Sequence, residues 1–149
     1  MTEFRRISDS FSASPQITEA QVAEARERGF RLIVNNRPEH EAEDQTPGPV
    51  IEQACRTHGL DYLAIPITHA GFSEAQIAAL ADALEASDGP VLGYCRSGTR
   101  STFLWALSQA RLGAGPDDIA AQASSAGYDV APIRPLLDML AARSNSSTA

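Results

Sequence analysis

The chain predicts an α/β fold with a mainly parallel sheet of four or five strands flanked by helices. Three observations carry this. Strand-like and helix-like segments alternate along the length. Two helices open on capping boxes, Thr18-Glu19-Ala20-Gln21 and Ser73-Glu74-Ala75-Gln76, where hydroxyl and Gln side chains satisfy amides that the helix leaves orphaned. The short run Val91-Leu92-Gly93-Tyr94 is wholly apolar, as suits a strand covered on both faces.

The elements follow in order. Residues 1–6 read as a frayed start and residues 10–13 as a short edge strand. The helix opened by Thr18 stops at Gly29. Residues 30–34 form an apolar strand ended by Asn35-Asn36-Arg37-Pro38, since Pro38 forbids a simple continuation. Residues 39–48 are acidic and aperiodic, which predicts an exposed loop. Pro49 suits the first turn of a helix reaching about His58, with Gly59 as its stop. Residues 62–65 make the next strand, closed by Pro66, and the helix opened by Ser73 runs to about Ala86. Beyond the 91–94 strand, residues 101–112, 117–126 and 133–143 read as helices. The Ser-rich end, 144–149, reads as a disordered tail. No repeat or linker interrupts this, so the expectation is one domain over 1–143.

A length of 149 residues with 43% hydrophobic content is enough to bury a core. The net charge of -7 argues against a nucleic-acid partner, because phosphate backbones are bound through Lys/Arg surfaces. No apolar run approaches the roughly 20 residues of a membrane span, and the first six residues lack a secretion signal. Two cysteines are too few for a disulfide scaffold. The expectation is a cytoplasmic protein with no membrane partner, no metal and no cofactor.

Chemistry concentrates in Cys95-Arg96-Ser97-Gly98-Thr99-Arg100-Ser101. A central strand delivers Cys95 to the carboxyl edge of the sheet, where open α/β folds place their ligands. Gly98 accepts positive φ without steric cost, so amides of Ser97, Gly98 and Thr99 can turn inward as an anion nest. The following helix adds its positive end. This setting favours a thiolate nucleophile at Cys95. Arg100 is placed to return over the loop and grip an anion with its planar fork. Ser101 is expected to donate to the thiolate, and Arg96 to point outward as positive field at the mouth. Cys55 lies four residues after Ile51 on one helix face, which reads as core; a regulatory disulfide with Cys95 is the alternative.

The segment from Tyr94 to Ser101 resembles the active loop of rhodanese-type sulfurtransferases. The chain as a whole is similar to the phosphatase-like domain of the beta-lactamase-hydrolase-like family, also described as a DUF442 sulfurtransferase family. The matching pieces are Ser14-Pro15-Gln16-Ile17-Thr18, Gly29-Phe30, Ile33-Val34-Asn35-Asn36-Arg37-Pro38, Ile65-Pro66, and Gly89 through Ser101. The resemblance implies a dual-specificity-phosphatase-like fold. It also implies a stand-alone form of a domain that occurs elsewhere fused to a persulfide dioxygenase, which makes a separate persulfide dioxygenase an expected partner.

Fold and loop point to different reactions. Cysteine phosphatases carry five residues between nucleophile and arginine, and usually a histidine before the cysteine. This chain has four residues, Arg96 to Thr99, and Tyr94 in the histidine's place. Both departures match the rhodanese pattern, and a smaller ring suits a terminal sulfur better than a phosphoryl group. No carboxylate follows Ile65-Pro66 before Glu74, so the phosphatase acid is missing. His69 stands near its place, either as a proton donor or as an ordinary exposed histidine. Arg37 either lines the pocket or caps the acidic loop. The leading expectation is a sulfurtransferase in which Cys95 takes sulfur from thiosulfate or glutathione persulfide and passes it to an acceptor thiol or cyanide. A phosphatase working through a phosphocysteine is the alternative, and a non-enzymatic anion-sensing or partner-binding module is the third reading.

Overall fold

A computed structural model of the chain describes residues 3–147. Five strands form one sheet in the order β1-β2-β5-β3-β4. They are β1 (Arg5–Arg6), β2 (Phe11–Ser14), β3 (Leu32–Asn35), β4 (Asp61–Ala64) and β5 (Val91–Tyr94). The helices are α1 (Glu19–Glu27), α2 (Gly48–His58), α3 (Glu74–Ala86), α4 (Thr99–Arg111), α5 (Pro116–Ser125) and α6 (Arg134–Ser147). Both expected capping boxes are present, at Thr18 with Gln21 and at Ser73 with Gln76. Gly59 stops α2 in the left-handed conformation at φ 74°, which suits a residue without Cβ. Among the described residues no helix is long and apolar enough to cross a membrane.

β2, β5, β3 and β4 run parallel, and β1 pairs antiparallel with β2. This corrects the start of the chain. Arg5 and Arg6 pair with Ala13 and Ser12, so β2 is interior and the two arginines form the outer strand. Charged side chains on a two-residue edge make a poor template for further pairing, and such a strand has no apolar pattern to announce it. The C-terminal helix also continues past Arg143 to Ser147, into the stretch expected to be a tail.

The sheet's two faces are covered by separate cores, because strand side chains alternate. Leu92 and Tyr94 of β5 pack with Ile17, Val22, Ile33, Ile51 and Cys55 under α1 and α2. Val91, Phe11 and Val34 pack with Leu80, Leu104, Trp105 and Leu137 under α3, α4 and α6. At Gly93 a Cβ would lie 2.7 Å from the Phe11 ring and 3.3 Å from the Ser101 Cβ. A bare strand there lets α4 sit close against the sheet, directly behind the loop it follows.

Candidate active site

The end of β5 is fixed from both sides before the loop begins. Asn36 N–H donates to the Tyr94 carbonyl at 2.9 Å, and Cys95 N–H donates to the Ser14 carbonyl at 3.3 Å. Cys95 is fully buried. The chain then turns through Gly98 at φ 93°, which is also the residue capping α4. The turn aims the Gly98 N–H at the Cys95 Sγ, 3.1 Å away, at the positive end of α4. The sulfur therefore sits against a backbone N–H donor at the start of a helix.

Arg100 comes back over the mouth. Its Nη1 and Nη2 donate to the two carboxylate oxygens of Glu41 at 2.8 and 2.7 Å, and Nη1 also donates to the Ile67 carbonyl at 3.0 Å. The guanidinium has five N–H groups; these bonds use three of them, and the group also interacts with the Cys95 sulfur. Glu41 and the Cys95 sulfur both act on this arginine and raise its pKa further, against the opposing effect of burial.

Glu41 also accepts from Arg37 Nε at 3.0 Å. Arg100, above all, and then Arg37 hold its carboxyl down at about 2 against partial burial. Shared between two guanidinium groups, the Glu41 carboxylate orients both arginines. Arg37 itself is buried and spans from Glu41 to the Gln16 side-chain oxygen at 3.0 Å. Of its two expected roles, this geometry is the one that ties down the acidic loop. Asn35 Oδ1 accepts from the Arg37 amide, and Asn36 Nδ2 donates to the Ile65 carbonyl, pinning the same turn.

A cavity of about 510 Å³ opens over the loop, lined by Pro38, Glu41, Thr68, His69, Arg96 and Arg100. His69 and Arg96 are both exposed there, facing the space that a substrate's outer portion would occupy. Ser97 Oγ donates to Thr99 Oγ1 at 3.0 Å, a local bond that stiffens the turn. Ser101 departs from expectation. Its hydroxyl donates to Asn36 Oδ1 at 2.7 Å, wholly buried, because the orphaned Asn36 oxygen is the stronger claim on it. Ser101 therefore couples β3 to α4 rather than serving the sulfur.

Tyr94 turns to the opposite face of the sheet, into the α1–α2 core, and takes no part in the pocket. Cys55 lies in that same core. Burial, chiefly, and Glu52 push its thiol up to about 11, and both cysteines are free.

The Asn side chains pin the turn as their place at the strand end leads one to expect. Two contributors escape sequence reasoning. Glu41 sits in a stretch that reads as exposed acidic loop, although Arg37 and Glu41 carry an i,i+4 charge spacing. Tyr128, after α5, donates through its hydroxyl to the Ser97 carbonyl at 3.3 Å; nothing local marks it.

The comparisons agree with this architecture. A candidate phosphatase of Neisseria meningitidis superposes with a TM-score of 0.82 at 28% identity, covering 94% of this chain and 99% of that one. PTPMT1, solved in complex with PI(5)P, has the same fold, with a TM-score of 0.78 at 13% identity over 98% and 99% of the two chains. Beta-lactamase hydrolase-like proteins of Xylella fastidiosa and Agrobacterium fabrum are 36% and 30% identical over 104 and 105 residues. Those matches take in 69% and 70% of this chain but 24% of each relative's length. Residues 3–112 match the family model described as beta-lactamase hydrolase-like protein, phosphatase-like domain, and the chain belongs to that family.

Proposed function

We propose that the protein is a cysteine-dependent phosphatase acting on phosphate monoesters. The observation that carries this reading is the Cys95 sulfur held by the Gly98 amide and acted on by the Arg100 guanidinium, on a phosphatase-like fold. The thiolate attacks phosphorus, the phosphoryl oxygens settle among loop amides and the Arg100 guanidinium, and the ester oxygen departs. His69, facing the cavity, is the group available to protonate it. Water then hydrolyses the phosphocysteine.

A second reading is sulfur transfer, favoured by the four-residue spacing from Cys95 to Arg100 and by the lack of a carboxylate between Pro66 and Ser73. Cys95 takes the outer sulfur of thiosulfate or glutathione persulfide, releasing sulfite or thiol, and an acceptor thiol or cyanide removes it. Such leaving groups scarcely need an acid. A persulfide dioxygenase acting alongside belongs to this reading.

One experiment ranks the two. Purified protein is given an aryl phosphate, or thiosulfate with cyanide, and Cys95→Ser serves as control. Cys95-dependent release of phenol without thiocyanate supports the phosphatase. Thiocyanate formation, with intact mass showing one sulfur added on Cys95, overturns it in favour of sulfur transfer. Neither activity overturns both.

A further inference from the structure

One peptide unit carries the contact between loop and sulfur. The group joining Ser97 to Gly98 sends its N–H to Cys95 Sγ at 3.1 Å, while its C=O accepts from the Tyr128 hydroxyl at 3.3 Å. A trans peptide is planar, and its C=O and N–H point in opposite directions; the described chain has no cis bonds. Holding the oxygen on one side therefore aims the hydrogen to the other.

The ring backs up the bond. Tyr128 is 7% exposed, and a Cβ on Gly98 would collide with its hydroxyl, so ring and loop are in full contact. The Arg5 guanidinium lies 5.3 Å from the ring centroid, a cation–π distance, and clamps the ring from outside. Tyr128 lies beyond residues 3–112, the part matched by the family model. Its own amide bonds the Ala123 carbonyl at 2.9 Å, fastening it to the end of α5.

We infer that Tyr128 is a positioning residue for the nucleophile: its hydroxyl fixes the Ser97–Gly98 peptide so that the Gly98 amide faces the Cys95 sulfur, with Arg5 bracing the ring. The inference deepens the reading of Cys95 as nucleophile and rests on it, but not on whether phosphorus or sulfur is transferred. No atom of Tyr128 needs to touch substrate.

The test is the rate at which iodoacetamide alkylates Cys95, followed by intact mass and peptide mapping, in the parent and in Tyr128→Phe. Phe keeps the ring and removes the donor. The expected rate at neutral pH falls about threefold or more, since the thiolate loses an aligned amide. Simple loosening would move the rate the other way, because a buried thiol gains access when its loop opens. For whichever substrate is turned over, kcat falls about fivefold with KM within about twofold, the signature of a contact felt mainly in the reacting state. Arg5→Gln, on an exposed strand, gives a smaller fall of the same sign and decides the matter if Tyr128→Phe does not fold. An unchanged or faster alkylation rate overturns the inference. A rate that responds to Tyr128 in a protein turning over neither substrate overturns the enzymatic reading and leaves the positioning role standing.

Discussion

Two loops meet at the carboxyl edge of the sheet, and they are held by different means. The loop after β5 is held by its own backbone: a left-handed glycine, an amide on Sγ, and a helix that begins at once. The loop after β3 has little regular structure and is held by side chains. Glu41 draws Arg37 from its own turn and Arg100 from across the chain, while Arg37 reaches back to Gln16. One loop presents the nucleophile and the other orients the arginine above it. The first depends on its backbone conformation, and the second on its charged side chains.

That contrast can be broken at four points. The largest effect belongs to Cys95→Ser, which lowers turnover of either substrate by about a thousandfold or more, since a serine hydroxyl there lacks an activating base. Next is Gly98→Ala. A Cβ at positive φ, pressed on Tyr128, lowers activity about thirtyfold and stability by about 1–3 kcal/mol, read by chemical denaturation.

Glu41→Gln tests the charged loop. It lowers kcat/KM about tenfold and Tm by about 2–4 °C, because two arginines lose their shared carboxylate. The pH dependence has a fixed sign. The Glu41 carboxyl lies below its ordinary value of 4.5, at about 2 in the folded protein, so its contribution is fully present above 4.5. That contribution disappears as pH falls toward 2, and the Gln variant lacks that slope. The smallest effect is His69→Ala, about threefold on an aryl phosphate with a poor leaving group and none on thiosulfate. Equal losses on both substrates would remove His69 from proton transfer.

The legible part of the molecule is the part governed by local rules. Capping boxes, the stops at Gly29 and Gly59 and the apolar 91–94 strand depend on neighbours in sequence, and the structure has them where the pattern placed them. The loop after β5 was readable for the same reason, since cysteine, glycine and arginine sit at fixed offsets. The Ser101 hydroxyl goes instead to Asn36, one residue past β3 and distant in sequence, which no local pattern marks. Glu41 looked solvated because its principal partner, Arg100, is distant in sequence, and Tyr128 is aromatic core until its hydroxyl is traced to Ser97. The edge pair Arg5–Arg6 forms only because β2 offers it a register. Each missed feature is a contact between distant segments.

The position of β5 has a kinetic consequence. It pairs on one side with β2, Phe11 opposite Val91, and on the other with β3, Leu32 opposite Val91. Both partners must be gathered from far along the chain, a search that slows folding as sequence separation grows. The bonds that aim the loop span those strands as well, from Ser14 and from Asn36. The geometry of the loop is therefore a property of the assembled sheet: the bonds that fix the Cys95 end of β5 exist only once β2 and β3 have both paired with it.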